Sequence, residues 1–317
     1  MSKPDILAIS GIHPFYLKAL QTIFNVHVGV HTNDPQSFAK LAPNMIGIAA
    51  SGESRVPGDL MAQLPQLKVI SVFGVGYDGI DTSTALKRGI AVTHTPNVLT
   101  DDVADLALGL LLSVARTIPQ ADQHVKTGHW PLGLMPLGTK VSGARLGIVG
   151  LGRIGKAIAR RASAFDMSIA YTARTEKADS GYKFHKDAAS LAAQVDFLVV
   201  ITPGGESTKH LINAQVLQAL GKDGYLINVA RGSVVDQEAL VIALENGVIA
   251  GAGLDVFSNE PHVPEALWSM RNVVLTPHIA SATKQTRQAM ADLAFANMQA
   301  GTSGRPLLTP VPEMKNQ

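Results

Sequence analysis

Arg145–Phe165 reads RLGIVGLGRIGKAIARRASAF. An apolar strand, LGIV, runs straight into Gly150, Gly152 and Gly155 in G-x-G-x-x-G spacing, and RIGKAIARRA continues as a helix. The spacing alone says little, but strand, glycine turn and helix in that order form a dinucleotide-binding turn. Gly150 permits the tight turn, Gly152 lets the backbone approach a pyrophosphate, and Gly155 lets helix and strand pack closely. The free N–H groups at the helix start, from Arg153 and Ile154 onward, then point at phosphate oxygens with the helix dipole behind them. The segment predicts a parallel α/β sheet of the Rossmann type.

The next strand leads into MSIAYTARTEK, Met167–Lys177. Arg174 stands 19 positions after Gly155. A carboxylate about 20 positions on would accept bonds from the adenosine ribose hydroxyls and repel a 2′-phosphate. A guanidinium would grip that phosphate in bidentate fashion, with the Thr175 hydroxyl and the Lys177 charge beside it. The expected cofactor is NADPH, and Glu176, the nearest carboxylate, keeps NADH open.

Outward from this segment the pattern repeats. DILAIS, VHVGV, MIGIAAS, LKVISVFG and AVTHTP precede it, separated by amphipathic stretches. VDFLVVIT, YLINVA, AGAGLDV and VVLTP follow. Near-continuous apolar runs suit strands buried on both faces, and their interleaving with helices gives two successive βα series. The residues from TPNVLTDD to HVKTG read as one long helix after a turn, with Asp101 and Asp102 favourably placed at its positive end. A final amphipathic helix starts near Ser281.

At 317 residues two domains are expected. Charged residues make up 16% of the chain, against about 25% in an average protein. So few charges beside 46% hydrophobic residues point to an extra buried surface, hence an oligomer. A net charge of +2 without a dense basic run predicts neither nucleic acid nor membrane as partner. With no cysteine, disulfides, thiolate catalysis and cysteine-based zinc sites are excluded. The N-terminal apolar run is too short for a signal peptide, and LALGLLLSVA falls short of the roughly 18 residues that span a bilayer. The expected location is the cytoplasm.

Three strand ends carry chemistry-bearing residues: Arg231 after YLINVA, Glu260 in the loop after GAGLDV, and His278 after VVLTP. Ligands of open α/β sheets bind beyond the carboxyl ends of strands. A 2-oxo acid offers a carboxylate beside a ketone. Arg231 suits the carboxylate and polarises the carbonyl, His278 suits protonation of its oxygen, and Glu260 suits orienting the imidazole. The other histidines show no metal-ligand spacing, so no metal is expected.

VFGVGYDGID (Val72–Asp81), LGIVGLGRIG, LINVARGSVVD, GAGLDVF, NEP and LTPHIAS occur in that order. On these stretches the chain resembles the D-isomer-specific 2-hydroxyacid dehydrogenase family over essentially its whole length. The resemblance implies a substrate-binding domain of residues 1–99 and 285–317 and an inserted dinucleotide-binding domain of residues 100–284, with the active site in the cleft. It implies a homodimer built around the helix near Asp101. Arg231, Glu260 and His278 match the catalytic positions, and Val75 and Gly76 match a loop whose amides hold a carboxylate. Thr202 and Pro203 match cofactor-side positions, and Asp255 matches a residue that holds the nicotinamide carboxamide. AYTART and PLLTPV are most similar to glyoxylate/hydroxypyruvate reductases and hydroxyphenylpyruvate reductases. Corepressors that sense NAD(H) share the trio but have a long disordered tail. Departures from the family are Asp105, where glutamate is usual, and Gly204, where leucine is common. Trp130, in GHWPLG, is placed either to reach a partner's active site or to pack in the dimer.

Overall fold

A computed structural model describes residues 3–9 and 11–314. The chain divides into two compact units, residues 1–99 with 283–317, and residues 100–282.

The first unit holds a five-stranded parallel sheet: β1 (Asp5–Ala8), β2 (Asn25–Val28), β3 (Met45–Ser51), β4 (Val69–Phe73) and β5 (Ala91–Thr93). Its order is β2-β1-β3-β4-β5, the flavodoxin-like winding. Every residue of β4 is buried, as expected of a central strand covered on both faces. The helix Lys284–Thr302 returns to this sheet. The Ser71 hydroxyl of β4 donates to its Ala294 carbonyl at 2.8 Å. The segment after the helix covers the open edge of β5: Val311 N–H donates to Val92 O (3.0 Å), and Thr93 bridges Pro310 antiparallel. An uncovered edge would present unpaired backbone groups to other chains.

The second unit holds seven parallel strands: β6 (Arg145–Val149), β7 (Ser168–Thr172), β8 (Lys183–His185), β9 (Phe197–Val200), β10 (Tyr225–Asn228), β11 (Gly251–Leu254) and β12 (Val273–Leu275). The order β12-β11-β10-β9-β6-β7-β8 is the Rossmann winding with a seventh strand added, and its switch point lies between β6 and β9. The core of this unit is aliphatic, built from residues such as Leu198, Val200, Leu226 and Leu254. β8 escapes sequence reading because it is three residues long, has Phe184 as its one apolar side chain and is only partly buried.

The single long helix expected before the glycine turn is two helices, Thr100–Ala115 and Ile118–Lys126. Pro119 has no N–H to give Ala115 O; the amide of Thr139 takes that carbonyl at 2.7 Å, and Thr117 turns left-handed (φ +49°). The first helix crosses the sheet beside the helix Arg153–Ser163, and Arg161 donates to both Asp105 and Asp101. Aspartate at position 105 therefore serves an interhelical ion pair. Among the described residues, no helix is long and apolar enough to cross a membrane.

A Cβ added to Gly155 would stand 2.2 Å from Gly150 O, so helix and turn meet at a distance only glycine allows. Gly155→Ala must push the helix off the strand. The expected result is a thermal unfolding midpoint lower by on the order of 5 °C, from an overpacking cost of about 1–3 kcal/mol. An unchanged midpoint would show that the helix moves without cost.

Candidate active site

Strand register aligns the chemistry of the second unit. Thr172 pairs with Val149, Val149 with Val200, Val200 with Asn228, Asn228 with Leu254, and Leu254 with Leu275. These residues end β7, β6, β9, β10, β11 and β12, so six strands stop on one row. The next residues of each chain segment form one carboxyl-end rim: Gly150, Ala173–Lys177, Thr202–Pro203, Arg231, Asp255 and His278.

The β6–β9 part of the rim fits a dinucleotide. Gly150 adopts φ +108°, which disfavours side-chain-bearing residues, and its Cβ position would lie 2.7 Å from Ile201 O. A Cβ on Gly152, by contrast, would meet nothing within 4 Å. The turn is therefore closed on its sheet side and open where the helix Arg153–Ser163 begins, which is the side a pyrophosphate needs. The Thr202 hydroxyl is buried with no partner among the described residues, an unsatisfied donor at the switch point. Pro203, beside it, is exposed.

Beyond β7, Arg174, Thr175 and Lys177 are all exposed. The loop carrying them is not loose. The buried Tyr171 hydroxyl accepts from Lys177 N–H at 2.6 Å, and Lys177 Nζ lies 3.3 Å from Thr175 Oγ1. This leaves a guanidinium, an ammonium and a hydroxyl on one short loop facing solvent, a fit for an extra phosphate.

Asn228 shapes the turn after β10. Its side-chain oxygen accepts from Ala230 N–H (3.1 Å), and its amide donates to Arg231 O (3.1 Å). Arg231 Nη1 donates to Ala230 O at 2.9 Å, leaving the guanidinium half-buried. Gly232 then packs so closely that a Cβ would stand 1.9 Å from the carbonyl carbon of Phe257. Only glycine lets the arginine turn abut the segment that carries Glu260.

Glu260 and His278 are in direct contact. Glu260 Oε1 accepts from Phe257 N–H (2.8 Å), and Oε2 lies 2.7 Å from His278 Nδ1. An ionised carboxylate only accepts, so Nδ1 carries the hydrogen of that bond and Nε2 is the nitrogen left to exchange a proton. Both side chains are about a quarter exposed, so a substrate can reach them.

His278 sits in a left-handed conformation, φ +53°, uncommon for a residue with a side chain. Its N–H donates to Asp255 O (2.9 Å) and Thr276 O (3.1 Å). The Asp255 carboxylate receives Thr276 Oγ1 (2.6 Å), Ile279 N–H (2.8 Å) and Ala280 N–H (2.9 Å). Burial raises the Asp255 carboxyl above its ordinary range, and the three hydrogen bonds oppose that rise. The carboxylate is fully buried and turned inward, where it braces the His278 turn. Sequence reading missed the role because it depends on amides 24 and 25 residues away.

In the first unit Val75 and Gly76 follow β4, and among the described residues neither amide donates to another backbone group.

Comparison with known proteins agrees with these features. The model of the D-isomer specific 2-hydroxyacid dehydrogenase NAD binding domain matches residues 108–280. The chain is 49% identical over 267 residues to glyoxylate/hydroxypyruvate reductase A HPR2 of Arabidopsis thaliana, covering 84% of each. It is 47% identical over 270 residues to hydroxyphenylpyruvate reductase of Plectranthus scutellarioides, covering 85% of this chain and 86% of that one. Among solved structures, the NADPH-dependent glyoxylate/hydroxypyruvate reductase SmGhrB of Sinorhizobium meliloti, in complex with NADP and malonate, superposes with a TM-score of 0.90. It shares 49% identity over 98% of both chains. The chain belongs to the D-isomer-specific 2-hydroxyacid dehydrogenase family.

Proposed function

We propose that this protein reduces small 2-oxo acids such as glyoxylate and hydroxypyruvate to D-2-hydroxy acids with NADPH. The observation that carries the reading is the Glu260–His278 pair, held on the same strand-end rim as the glycine turn. The second unit, residues 100–282, is the dinucleotide-binding domain in this reading, and the first unit, from both chain ends, binds substrate. The first loop and helix start of β6, residues Gly150–Gly155, would hold the pyrophosphate, with Thr202 and Pro203 beside it. Arg174 and Thr175 would take the 2′-phosphate. NADPH, when bound, supplies a hydride to the carbonyl carbon.

The chain's own residues do the rest. Arg231 pairs with the substrate carboxylate and polarises the carbonyl oxygen, a task suited to a planar fork of donors. The amides of Val75 and Gly76 share the carboxylate charge. Nε2 of His278 gives its proton to the oxygen as negative charge develops there. Glu260 fixes the ring by its bond at Nδ1, and its charge stabilises the imidazolium before transfer. Bulkier aromatic oxo acids form the second reading, supported by the 47% identity to hydroxyphenylpyruvate reductase.

NADPH and NADH oxidation followed by absorbance with glyoxylate, hydroxypyruvate and hydroxyphenylpyruvate tests the assignment. Oxidation with none of the three would overturn it. His278→Ala is expected to lower kcat by roughly 10²–10⁴-fold, the usual contribution of a positioned acid, while NADPH binding holds. Arg174→Ala is expected to raise the NADPH KM at least about ten-fold, from losing a charge-assisted phosphate contact, with NADH little changed. Equal effects on both cofactors would remove Arg174 from phosphate selection.

The reading includes a homodimer in a reducing cytoplasm. Leu134 and Leu137 are 93% and 99% exposed in a segment that also presents Trp130 and Leu132 to solvent. Such a run of exposed apolar side chains suits a contact between two copies. Sedimentation should give about twice the 33.4 kDa chain mass, and Leu134→Glu with Leu137→Glu should halve it. A monomeric mass for the unaltered protein would refute the dimer.

A further inference from the structure

The search for unassigned chemistry leads to a histidine in the first unit. His94 follows β5, is buried, and belongs to none of the groups placed on the strand-end rim. Its Nδ1 lies 2.9 Å from Val75 O. A carbonyl oxygen only accepts, so Nδ1 carries the proton and donates. The adjacent Thr95 N–H donates to Gly74 O at 2.8 Å, and Gly74 N–H donates back to Thr95 Oγ1 at 3.0 Å. Residues 94 and 95 thus hold two successive carbonyls of the loop after β4.

Peptide geometry converts this grip into an orientation. In a planar trans peptide the C=O of one residue and the N–H of the next point in opposite directions. Holding Gly74 O therefore fixes the Val75 N–H, and holding Val75 O fixes the Gly76 N–H. Both amides face away from residues 94 and 95. These are the two donors assigned to the substrate carboxylate. We infer that His94 is a positioning residue for substrate binding, acting through the Val75–Gly76 peptide to aim the carboxylate-binding amides.

His94 is itself held from the C-terminal segment. Thr309 Oγ1 donates to His94 O (2.6 Å), and His94 N–H donates to Thr309 O (3.2 Å). Asn297, fully buried on the last helix, donates to Thr309 Oγ1 (2.7 Å) and accepts from Leu308 N–H and Thr309 N–H, both at 3.1 Å. A fully buried amide that makes four hydrogen bonds, with Leu293 O as the remaining acceptor, leaves Thr309 one arrangement. The far end of the loop is clamped by the same segment. Tyr77 stacks edge-on against His94, with ring centroids 5.3 Å apart, and its hydroxyl donates to the Glu313 carboxylate at 3.1 Å. Burial and that carboxylate push the Tyr77 hydroxyl up to about 12, so it stays a donor across the working range. Residues 308–313 therefore set the substrate loop through His94 and Tyr77.

The inference rests on the reading of Val75 and Gly76 as anion-binding amides, and the test separates the two. Steady-state kinetics with glyoxylate, inhibition by oxamate, and NADPH affinity by fluorescence would be measured for His94→Ala, His94→Asn and Gly76→Pro. His94→Ala removes the donor, and His94→Asn places an amide N–H near the position of Nδ1. Gly76→Pro removes one of the proposed substrate donors itself. The expected result is a glyoxylate KM and oxamate inhibition constant weaker by on the order of ten-fold in His94→Ala, the worth of one net hydrogen bond. NADPH affinity should hold, kcat should fall less than KM rises, and His94→Asn should recover most of the loss. A His94→Ala enzyme with wild-type KM and inhibition, beside a weakened Gly76→Pro enzyme, overturns the role of His94 and keeps the amide reading. Wild-type values in both variants overturn the amide reading and the inference with it. If His94→Ala does not fold, failure of His94→Asn to bind oxamate better than His94→Leu overturns the inference.

Discussion

The second unit depends on one geometric constraint, the common register of its parallel strands. Because the strands from β7 across to β12 pair without offset at their carboxyl ends, every turn that leaves the sheet there opens on the same rim. A strand rises about 3.3 Å per residue, so a slip of one position would displace a turn by more than a hydrogen-bond length. It would also swap the faces of its buried side chains. The apolar runs therefore do two things at once. They fill the core between helices, and by fixing register they place Gly150, Thr202, Arg231, Asp255 and His278 in a row. Short side chains tighten this further: Gly253 of β11 would bring a Cβ to 3.0 Å from Leu110, so the helix Thr100–Ala115 lies almost against the strand.

Much of this was legible in the sequence because it is carried by local chemistry. The glycine spacing between an apolar strand and a helix implies a phosphate turn, and buried-strand composition implies parallel sheets with helices on both faces. Arg174 could be singled out because, at that spacing from the glycine turn, an acidic and a basic side chain imply different cofactors. The break at Pro119 was missed for a definable reason. The apolar period continues through it, and only the capture of Ala115 O by the distant Thr139 amide shows that the helix has stopped. β8 was missed because three residues with a single apolar side chain, Phe184, carry no periodicity. Asp105 read as a departure, and its partner Arg161 lies 56 residues away on a neighbouring helix.

The same division runs through the site. Arg, Glu and His at strand ends could be picked out by type, since each suits a step of oxo-acid reduction that few other side chains could take. The residues that hold them could not. Asn228 and Thr276 are small polar residues of kinds that occur in any turn, and their function exists only in the distances they close. His94 is the clearest instance. In sequence it is one of ten histidines, and nothing adjacent to it says that its ring meets a carbonyl 19 residues earlier.

The buried polar braces are costly, and the cost helps explain their form. A carboxylate taken out of water loses several kcal/mol of solvation unless hydrogen bonds replace it. Asp255 meets that demand with three donors, two of them backbone amides that would themselves be unsatisfied without it. Nearby, His278 holds a left-handed backbone, which costs on the order of 1–3 kcal/mol and persists only where surroundings over-determine it. The two costs support one another. The turn supplies the donors that let Asp255 be buried, and Asp255 supplies the acceptors that keep the turn in its strained form. What results is an imidazole whose direction is set by backbone at one end and by Glu260 at the other. In the proposed reaction a ring so constrained has little freedom to lose in the transition state, which is the benefit of preorganisation for proton transfer.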